Sequence, residues 1–355
     1  MNINQLLETA VFRKASDLHI LADQVPVLRI NGELVFLVSF PKLKKGNIEE
    51  MIFSIINSQQ KEVLLANKEL DFSTVLELEN KNTVRFRANA YFSQGAIFGS
   101  FRVISTVIKS IEDLNLPPIV KEFAKLRQGL ILVTGPTGQG KSTTLSSIIQ
   151  EINLSRTAHI ISIEDPIEYI YPKGQSIISQ REMYQDTHSW SSALKNIFRE
   201  DPDVIYIGEM RDRETISSVL TIAETGHLVL ATLHTNSASQ TIDRIIDIFP
   251  ADERDQSRMQ LSMVLSAIMT QKLVPAIAGG RLPVCEILLG TASIRNNIRD
   301  GKTHLIDNII QTSSDEGMMI FEEHLRQRVH QNKILHEIAL EYAIRPDIYL
   351  ELIKS

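Results

Sequence analysis

Cysteine is nearly absent from the sequence: Cys285 stands alone among 355 residues. A disulfide framework and a cysteine-built zinc site are both excluded. No apolar run approaches the roughly 18 residues that a membrane-spanning helix needs, and the opening MNINQLLETAVFRKASDLHI lacks the basic-then-apolar pattern of a secretion signal. The sequence therefore predicts a cytoplasmic protein, attached to a membrane at most peripherally. An excess of basic residues is missing too, since 37 Lys and Arg face 43 Asp and Glu for a net charge of −6. There is no global footprint for nucleic acid, and no nucleic-acid partner is expected. Internal repeats and low-complexity tracts are also lacking. What is present, 43% hydrophobic and 23% charged residues, is ordinary globular composition in a chain long enough for two cores.

The chain reads as two blocks. In the first, DLHI, PVLRI and ELVFL are short strands, with Asn31-Gly32 as a hairpin signal. A helical stretch near 47–66 follows, then ELDFSTVLEL, a polar turn at 79–82, TVRFRANAYF with period-two alternation, and AIFGSFRVI. This predicts a small α+β domain over 1–110, and Pro117-Pro118 marks a linker over 111–118. In the second block, 119–355, HIISI, DVIYI and HLVLATL are near-continuous apolar runs of the kind buried on both faces of a parallel sheet. SWSSALKNIFRE and RETISSVLTIAETG read as helices between them. The expectation is an α/β sheet with ligands at the strand C-terminal ends, followed from about 250 to 355 by a mainly helical region.

One motif carries chemistry of its own. GPTGQGKSTT fills G-x-x-x-x-G-K-[ST] with Gly135, Gly140, Lys141 and Ser142, between the strand GLILVTG and the helical TTLSSIIQEI. Glycines let successive N–H groups turn inward onto a polyphosphate, and the following helix adds its positive end. Gly135, Pro136, Thr137, Gly138, Gln139, Gly140, Lys141, Ser142 and Thr143 form the candidate ATP-binding loop. Lys141 is placed to reach the β- and γ-phosphates, and Ser142 to give Mg²⁺ a hydroxyl ligand. Three strand ends bring polar residues towards such a loop: Glu164-Asp165, Gly208-Glu209 and His234-Thr235. Carboxylates there can activate water or hold Mg²⁺ through its waters, and a polar residue can sense the γ-phosphate.

At this point the residues carry a resemblance. GPTGQGKSTT, IISIEDPIEYIY, REDPDVIYIGEMRD and TIAETGHLVLATLHTNSA resemble, in order, the Walker A, Asp box, Walker B and His box of the secretion ATPase superfamily. RFRANAY, TIDRIIDIFP, SIRNNIRDGKTHLI and GMMIFEEHL look like its PilT-type branch, the type IV pilus retraction ATPases. The resemblance implies a PAS-like N-terminal domain, a RecA-like P-loop ATPase domain, ATP and Mg²⁺ as ligands, and a homohexameric ring. It implies Glu164 as the residue that activates water, Glu209 as a support of Mg²⁺ through its waters, and His227 and His234 as the His-box pair. It implies Arg85, Arg87 and Arg102 as arginines offered across a subunit boundary, where a guanidinium can stabilise the transferring phosphoryl. The implied partners are an inner-membrane pilus platform protein and a paralogous retraction ATPase, at the cytoplasmic face of the inner membrane.

Some residues depart from the family pattern. Gln139 replaces the usual serine at a position whose side chain need not touch phosphate, which predicts little effect on binding. Gln94-Gly95 lies where many relatives carry arginine. SIRNNIRD at 293–300 has Asn297 in place of an apolar residue while keeping Arg295, Asn296, Ile298 and Arg299; by spacing alone it reads as an amphipathic surface helix. HEIAL at 336–340 has Leu340 where a zinc-protease helix needs a second histidine. Met259, Met263 and Met269 read as core, and Trp190 as packing. Alternative functions left open are an accessory retraction ATPase acting mainly by binding, a secretion or assembly motor, and a nucleic-acid translocase.

Overall fold

Period-two alternation marks residues 69–77 and 83–93, and strands result. The computed structural model describes residues 2–30, 32–78, 83–104 and 107–354, and divides into two units, 1–107 with 168–170 and 108–167 with 171–355. The first unit holds α1 (Ile3–Phe12), β1 (Asp17–Ile20), β2 (Val27–Ile30), β3 (Glu33–Phe36), α2 (Lys45–Phe53), α3 (Ser58–Asn67), β4 (Glu69–Glu77), β5 (Thr83–Ser93) and β6 (Ala96–Val103). Its strands form an antiparallel sheet in the order β3-β2-β1-β6-β5-β4. One face buries Leu18, Ile20, Phe72, Phe86, Ala88 and Phe101 with Leu6 and Leu7 of α1 and Ile48 and Ile52 of α2. Residues of the other parity turn outward. Arg29, Asp17, Arg102, Arg87 and Ser73 stand opposite one another in a row across β2, β1, β6, β5 and β4.

The single helical stretch expected near 47–66 is two helices. Asn57 starts the second, its side chain accepting the Gln60 N–H at 2.8 Å while the Gln60 side chain accepts the Asn57 N–H at 3.0 Å. Asn31 of the expected hairpin and the polar turn at 79–82 lie outside the described residues.

The second unit contains α4 (Val120–Lys125), β7 (Gly129–Thr134), α5 (Lys141–Ser155), β8 (His159–Glu164), β9 (Ile177–Glu182), α6 (Trp190–Asn196), β10 (Val204–Ile207), α7 (Arg213–Glu224), β11 (Leu228–Leu233), α8 (Ala238–Asp247), α9 (Arg254–Val264), β12 (Leu265–Pro275), β13 (Arg281–Leu289), α10 (Ala292–Arg299), α11 (Ile306–Thr312), α12 (Phe321–His330), α13 (His336–Tyr342) and α14 (Pro346–Lys354). The sheet order is β13-β12-β7-β11-β10-β8-β9, parallel throughout except for the antiparallel pair β12–β13. β7, β10 and β11 are buried along their whole length, as their unbroken apolar sequences require. Tyr206, Leu230 and Ile131 of the sheet pack with Leu145, Ile148 and Ile149 of α5 on one face, while Ile205, Ile207 and Val229 meet α7 and α8 residues on the other.

The region beyond 250 is mainly helical, as expected, but it also contains the hairpin β12–β13, which widens the sheet. Gly279 and Gly280 take positive φ (+85° and +73°) at its turn. Polar Thr270 and Gln271 interrupt the apolar pattern of β12 yet are almost fully buried, because Thr270 bonds to Thr134 at the end of β7 and Gln271 to the phosphate loop rather than to water. Met259 and Met263 are not core: each is 53% exposed, whereas Met269 is buried. α9 turns Leu261 and Val264 inward, and the two methionines, four residues apart, share its outer side. Trp190 is half-buried against the core.

A charged knot ties the C-terminal helices to the sheet. Arg345 donates to buried Glu322 at 2.9 Å and pairs with Asp307 at 3.4 Å and Glu286 at 3.7 Å. Burial, with Asp307 and Glu322 nearby, pushes the Glu286 carboxyl up to about 7, against the opposing pull of the Ala238 N–H and Arg345. A carboxyl whose folded pKa is raised binds its proton more tightly in the native state, so stability falls as pH rises from the ordinary glutamate value to about 7. Glu286→Gln keeps an oxygen for the Ala238 N–H and removes the titration. Thermal melts between pH 5 and 8 should show the parent losing stability on the order of a few kcal/mol over this window, and the variant a flatter profile. Equal slopes would place the proton elsewhere.

Candidate functional site

β7 ends at Thr134 and the chain turns sharply through residues 135–140 into α5. Gly135 is obligatory there: its φ is +140°, and a Cβ would lie 2.3 Å from the Gln271 carbonyl oxygen. Gly140 takes the left-handed conformation at the helix N-cap. The first N–H groups of the 15-residue α5 have no intrahelical acceptors, and with the helix dipole they favour an anion at this end. Ser142 and Thr143 lie in its first turn. Lys141 is largely buried; its Nζ donates to the carbonyls of Gly135 at 2.8 Å and Pro136 at 3.0 Å, and lies 3.5 Å from Nδ1 of His234. Gln139 points away from this concavity, its Oε1 accepting the Leu273 N–H of β12 at 2.6 Å.

The strand ends supply the remaining groups. His234 follows β11, next to β7; Glu209 follows β10, one strand on; Glu164 closes β8, one further. At about 4.8 Å per strand this graded series leads away from the loop. His234 Nε2 is 3.0 Å from Glu209 Oε1, and its Nδ1 is 3.4 Å from Thr137 Oγ1. Lysine can only donate, so Nδ1 facing Lys141 is the lone-pair nitrogen and Nε2–H donates to Glu209. The second Glu209 oxygen accepts from Arg211 at 2.9 Å. Burial pushes the Glu209 carboxyl up, but Arg211, His234 and Lys141 together outweigh it and hold the group below the ordinary glutamate value. Glu164 is 4% exposed; its Oε1 accepts from the Ser162 hydroxyl at 2.6 Å and from Gln180 at 3.3 Å. Ser162 lies directly opposite Tyr206, and Glu164, two residues on, shares that face of the sheet, the one α5 covers.

Not every residue picked from the sequence joins this group. His227 precedes β11 at the opposite end of the strand from His234, roughly 20 Å away at the usual rise. It bonds to Thr225 Oγ1 at 2.9 Å and to the Ile222 carbonyl at 3.2 Å, and meets the Phe198 ring edge-on. Arg85, Arg87 and Arg102 belong to the first unit, on the outward face of its sheet. Arg102 pairs with Asp17 at 2.9 Å, Arg85 donates to Ser73 at 2.7 Å, and Arg87 is exposed. In α10, Ile294 and Ile298 are buried, Arg295 donates to the Gly290 carbonyl at 2.8 Å, and Asn297 donates to Ser293 O at 2.9 Å.

Sequence reasoning missed Arg211, Ser162, Gln180 and Gln271, all of which touch the candidate groups. Gln271 and Ser162 left a signal, each a polar residue inside an apolar strand. Beside the loop, on the side of Gly140 and Thr143, lies a cavity of about 300 Å³ lined also by Lys109, Asp113, Asn115, Leu273 and Arg281. It offers room for the nucleoside part of a ligand whose phosphates rest on the loop.

The family model described as type II/IV secretion system protein matches residues 1–341. The chain belongs to this family. It is 40% identical over 347 residues to the type IV pilus retraction ATPase PilT of Pseudomonas aeruginosa, an alignment covering 98% of this chain and 99% of that one. It is 41% identical to the type IV pilus ATPase PilU of the same organism, over 97% of this chain and 89% of that protein. A crystal structure of the pilus retraction motor PilT with bound ADP superposes with a TM-score of 0.91 at 40% identity, covering 99% of both chains. Among the described residues, no helix of this family member is long and apolar enough to cross a membrane.

Proposed function

We propose that the chain is an ATP-hydrolysing motor that powers type IV pilus retraction, as part of a homohexamer at the pilus base. The carrying observation is likeness to PilT over nearly the full length of both chains, joined to a glycine-rich loop that leads from β7 into α5 with Lys141 at the helix start. In this reading the triphosphate rests on the N–H groups of residues 137–143, and the Lys141 ammonium leaves the Gly135 and Pro136 carbonyls for phosphate oxygens. That movement changes what His234 Nδ1 faces, and the Nε2–H bond carries the change to Glu209, so presence of the γ-phosphate is felt at a second strand end. Glu164, held by Ser162 and Gln180, takes the proton from the attacking water.

The donor set also fits Mg²⁺, because the Ser142 hydroxyl and the Glu209 carboxylate are oxygen ligands and the latter is kept ionised by its basic neighbours. When bound, the ion would neutralise charge on the β- and γ-phosphates. Arg85, Arg87 and Arg102 serve a neighbouring subunit's nucleotide in the ring, and His227, at the far end of its strand, acts outside the loop's own group. The partners are a platform protein in the inner membrane and a paralogous ATPase, with the chain on the cytoplasmic side.

The altered segment at 293–300, with Asn297 in place of an apolar residue, favours one second reading, an accessory retraction ATPase that acts mainly by binding. Turnover by the purified chain separates the two: a motor hydrolyses ATP by itself. Deleting the gene should leave surplus, immobile surface pili; loss of pili would mean assembly instead of retraction.

A further inference from the structure

β12 runs beside β7 only as far as Thr270, which pairs with Thr134 at the end of β7. Beyond that point, among the described residues, no strand pairs with its inner edge, and the phosphate loop lies against it. Two glutamines close the gap reciprocally. Gln271, 1% exposed, donates from Nε2 to the Gln139 carbonyl at 2.5 Å and accepts from the Thr144 hydroxyl of α5 at 2.8 Å. Gln139 in turn accepts the Leu273 N–H at 2.6 Å. The glycines fit the same template: a Cβ on Gly135 would collide with the Gln271 carbonyl oxygen, and one on Gly140 would come within 3.0 Å of its Nε2.

We infer that Gln139 and Gln271 are positioning residues for nucleotide binding, holding the phosphate loop open in its anion-receiving shape from a strand outside the motif. The inference rests on the reading that the loop binds nucleotide. Its physical content is preorganisation. A loop with several accessible shapes must be ordered when the phosphates arrive, and that ordering weakens binding. Here the loop carbonyl at 139 and the strand N–H at 273 are satisfied before any ligand is present, and Lys141 can leave its own carbonyl partners without the loop collapsing. This differs from the sequence expectation that Gln139 matters little, because its side chain acts on the strand behind the loop rather than on phosphate. The ordering is recovered equally in ground state and transition state, so the loss should fall on KM and on the Kd for ADP, with kcat at saturating ATP nearly kept.

Gln139→Ser leaves a hydroxyl too short to reach the Leu273 N–H. With one neutral hydrogen bond lost, KM for ATP and Kd for ADP should each rise about fivefold. Gln271→Met, which removes both of that residue's bonds, should raise them further, and the double variant should cost less than the product of the two because the pair acts as one clamp. ADP titrations of the full-length parent and variants decide the matter, with ADP-free melting temperatures as the control. A role confined to fold stability would lower the melting temperature and leave Kd unchanged, which overturns the inference; so does a fall in kcat with KM unmoved. A parent chain that binds no ADP overturns the nucleotide reading itself and this inference with it. Gln139→Ser lies on a half-exposed loop and keeps the test open should the buried Gln271 variant fail to fold.

Discussion

Glu164→Gln should retain ATP and lose turnover, with kcat lower by about a thousandfold, the middle of the range for a general base. The substitution is nearly isosteric. Its amide oxygen still accepts the Ser162 hydroxyl that now sits 2.6 Å from Glu164 Oε1, so the strand end keeps its shape. What disappears is the ability to accept a proton from water. Steady-state hydrolysis measured beside equilibrium binding of ATP separates these consequences. A variant that still turns over within about tenfold of the parent would move the proposed base to Glu209, the other carboxylate in the strand-end series. The companion Ser162→Ala removes the shorter of the two bonds to Oε1, and a carboxylate with fewer donors is a stronger base. The acid limb of its pH–rate profile should therefore shift upward.

Lys141→Ala is the second large effect, and it acts on binding. The lysine Nζ already makes two bonds to loop carbonyls at 2.8 and 3.0 Å, and in the proposed complex exchanges them for phosphate oxygens. Bonds to charged groups contribute about 1.5–3 kcal/mol each, and the carbonyl bonds given up offset part of this, so the Kd for ATP should rise by about tenfold to a hundredfold. Melting temperatures test this without relying on turnover. Ligand that binds only the native state raises the transition, so millimolar ADP should stabilise the parent and leave Lys141→Ala unmoved. An equal rise in both would mean that the anion is held elsewhere.

The parts of the fold that could be read from the sequence share one property: their pattern is set locally. GLILVTG, DVIYI and HLVLATL are apolar because both faces are covered, and they are the buried strands β7, β10 and β11. The phosphate loop was legible because glycine, lysine and serine at fixed spacing answer to a single ligand. β12 and β13 were not, since Thr270 and Gln271 look like solvent-facing residues until Thr134 of β7 and the loop, their partners, are in place. Met259 and Met263 misled in the opposite sense, being apolar residues on the outer side of a helix. His227 and His234 look equivalent in HLVLATLH, yet only position relative to the strand's direction decides which of them meets the loop. Gln180 and Arg211 left no local trace, because their roles depend on where neighbouring strands and loops bring them together.

The row of Arg29, Arg102 and Arg87 across the N-terminal sheet contains one carboxylate, Asp17, on a chain whose formal charge is −6. The same face carries Glu69, Asp71 and Glu77 of β4 beside Ser73, so its acids and bases largely cancel within the sheet. Mixed charges this close leave little field beyond about 8 Å at physiological ionic strength, so added salt should change encounters on this face little.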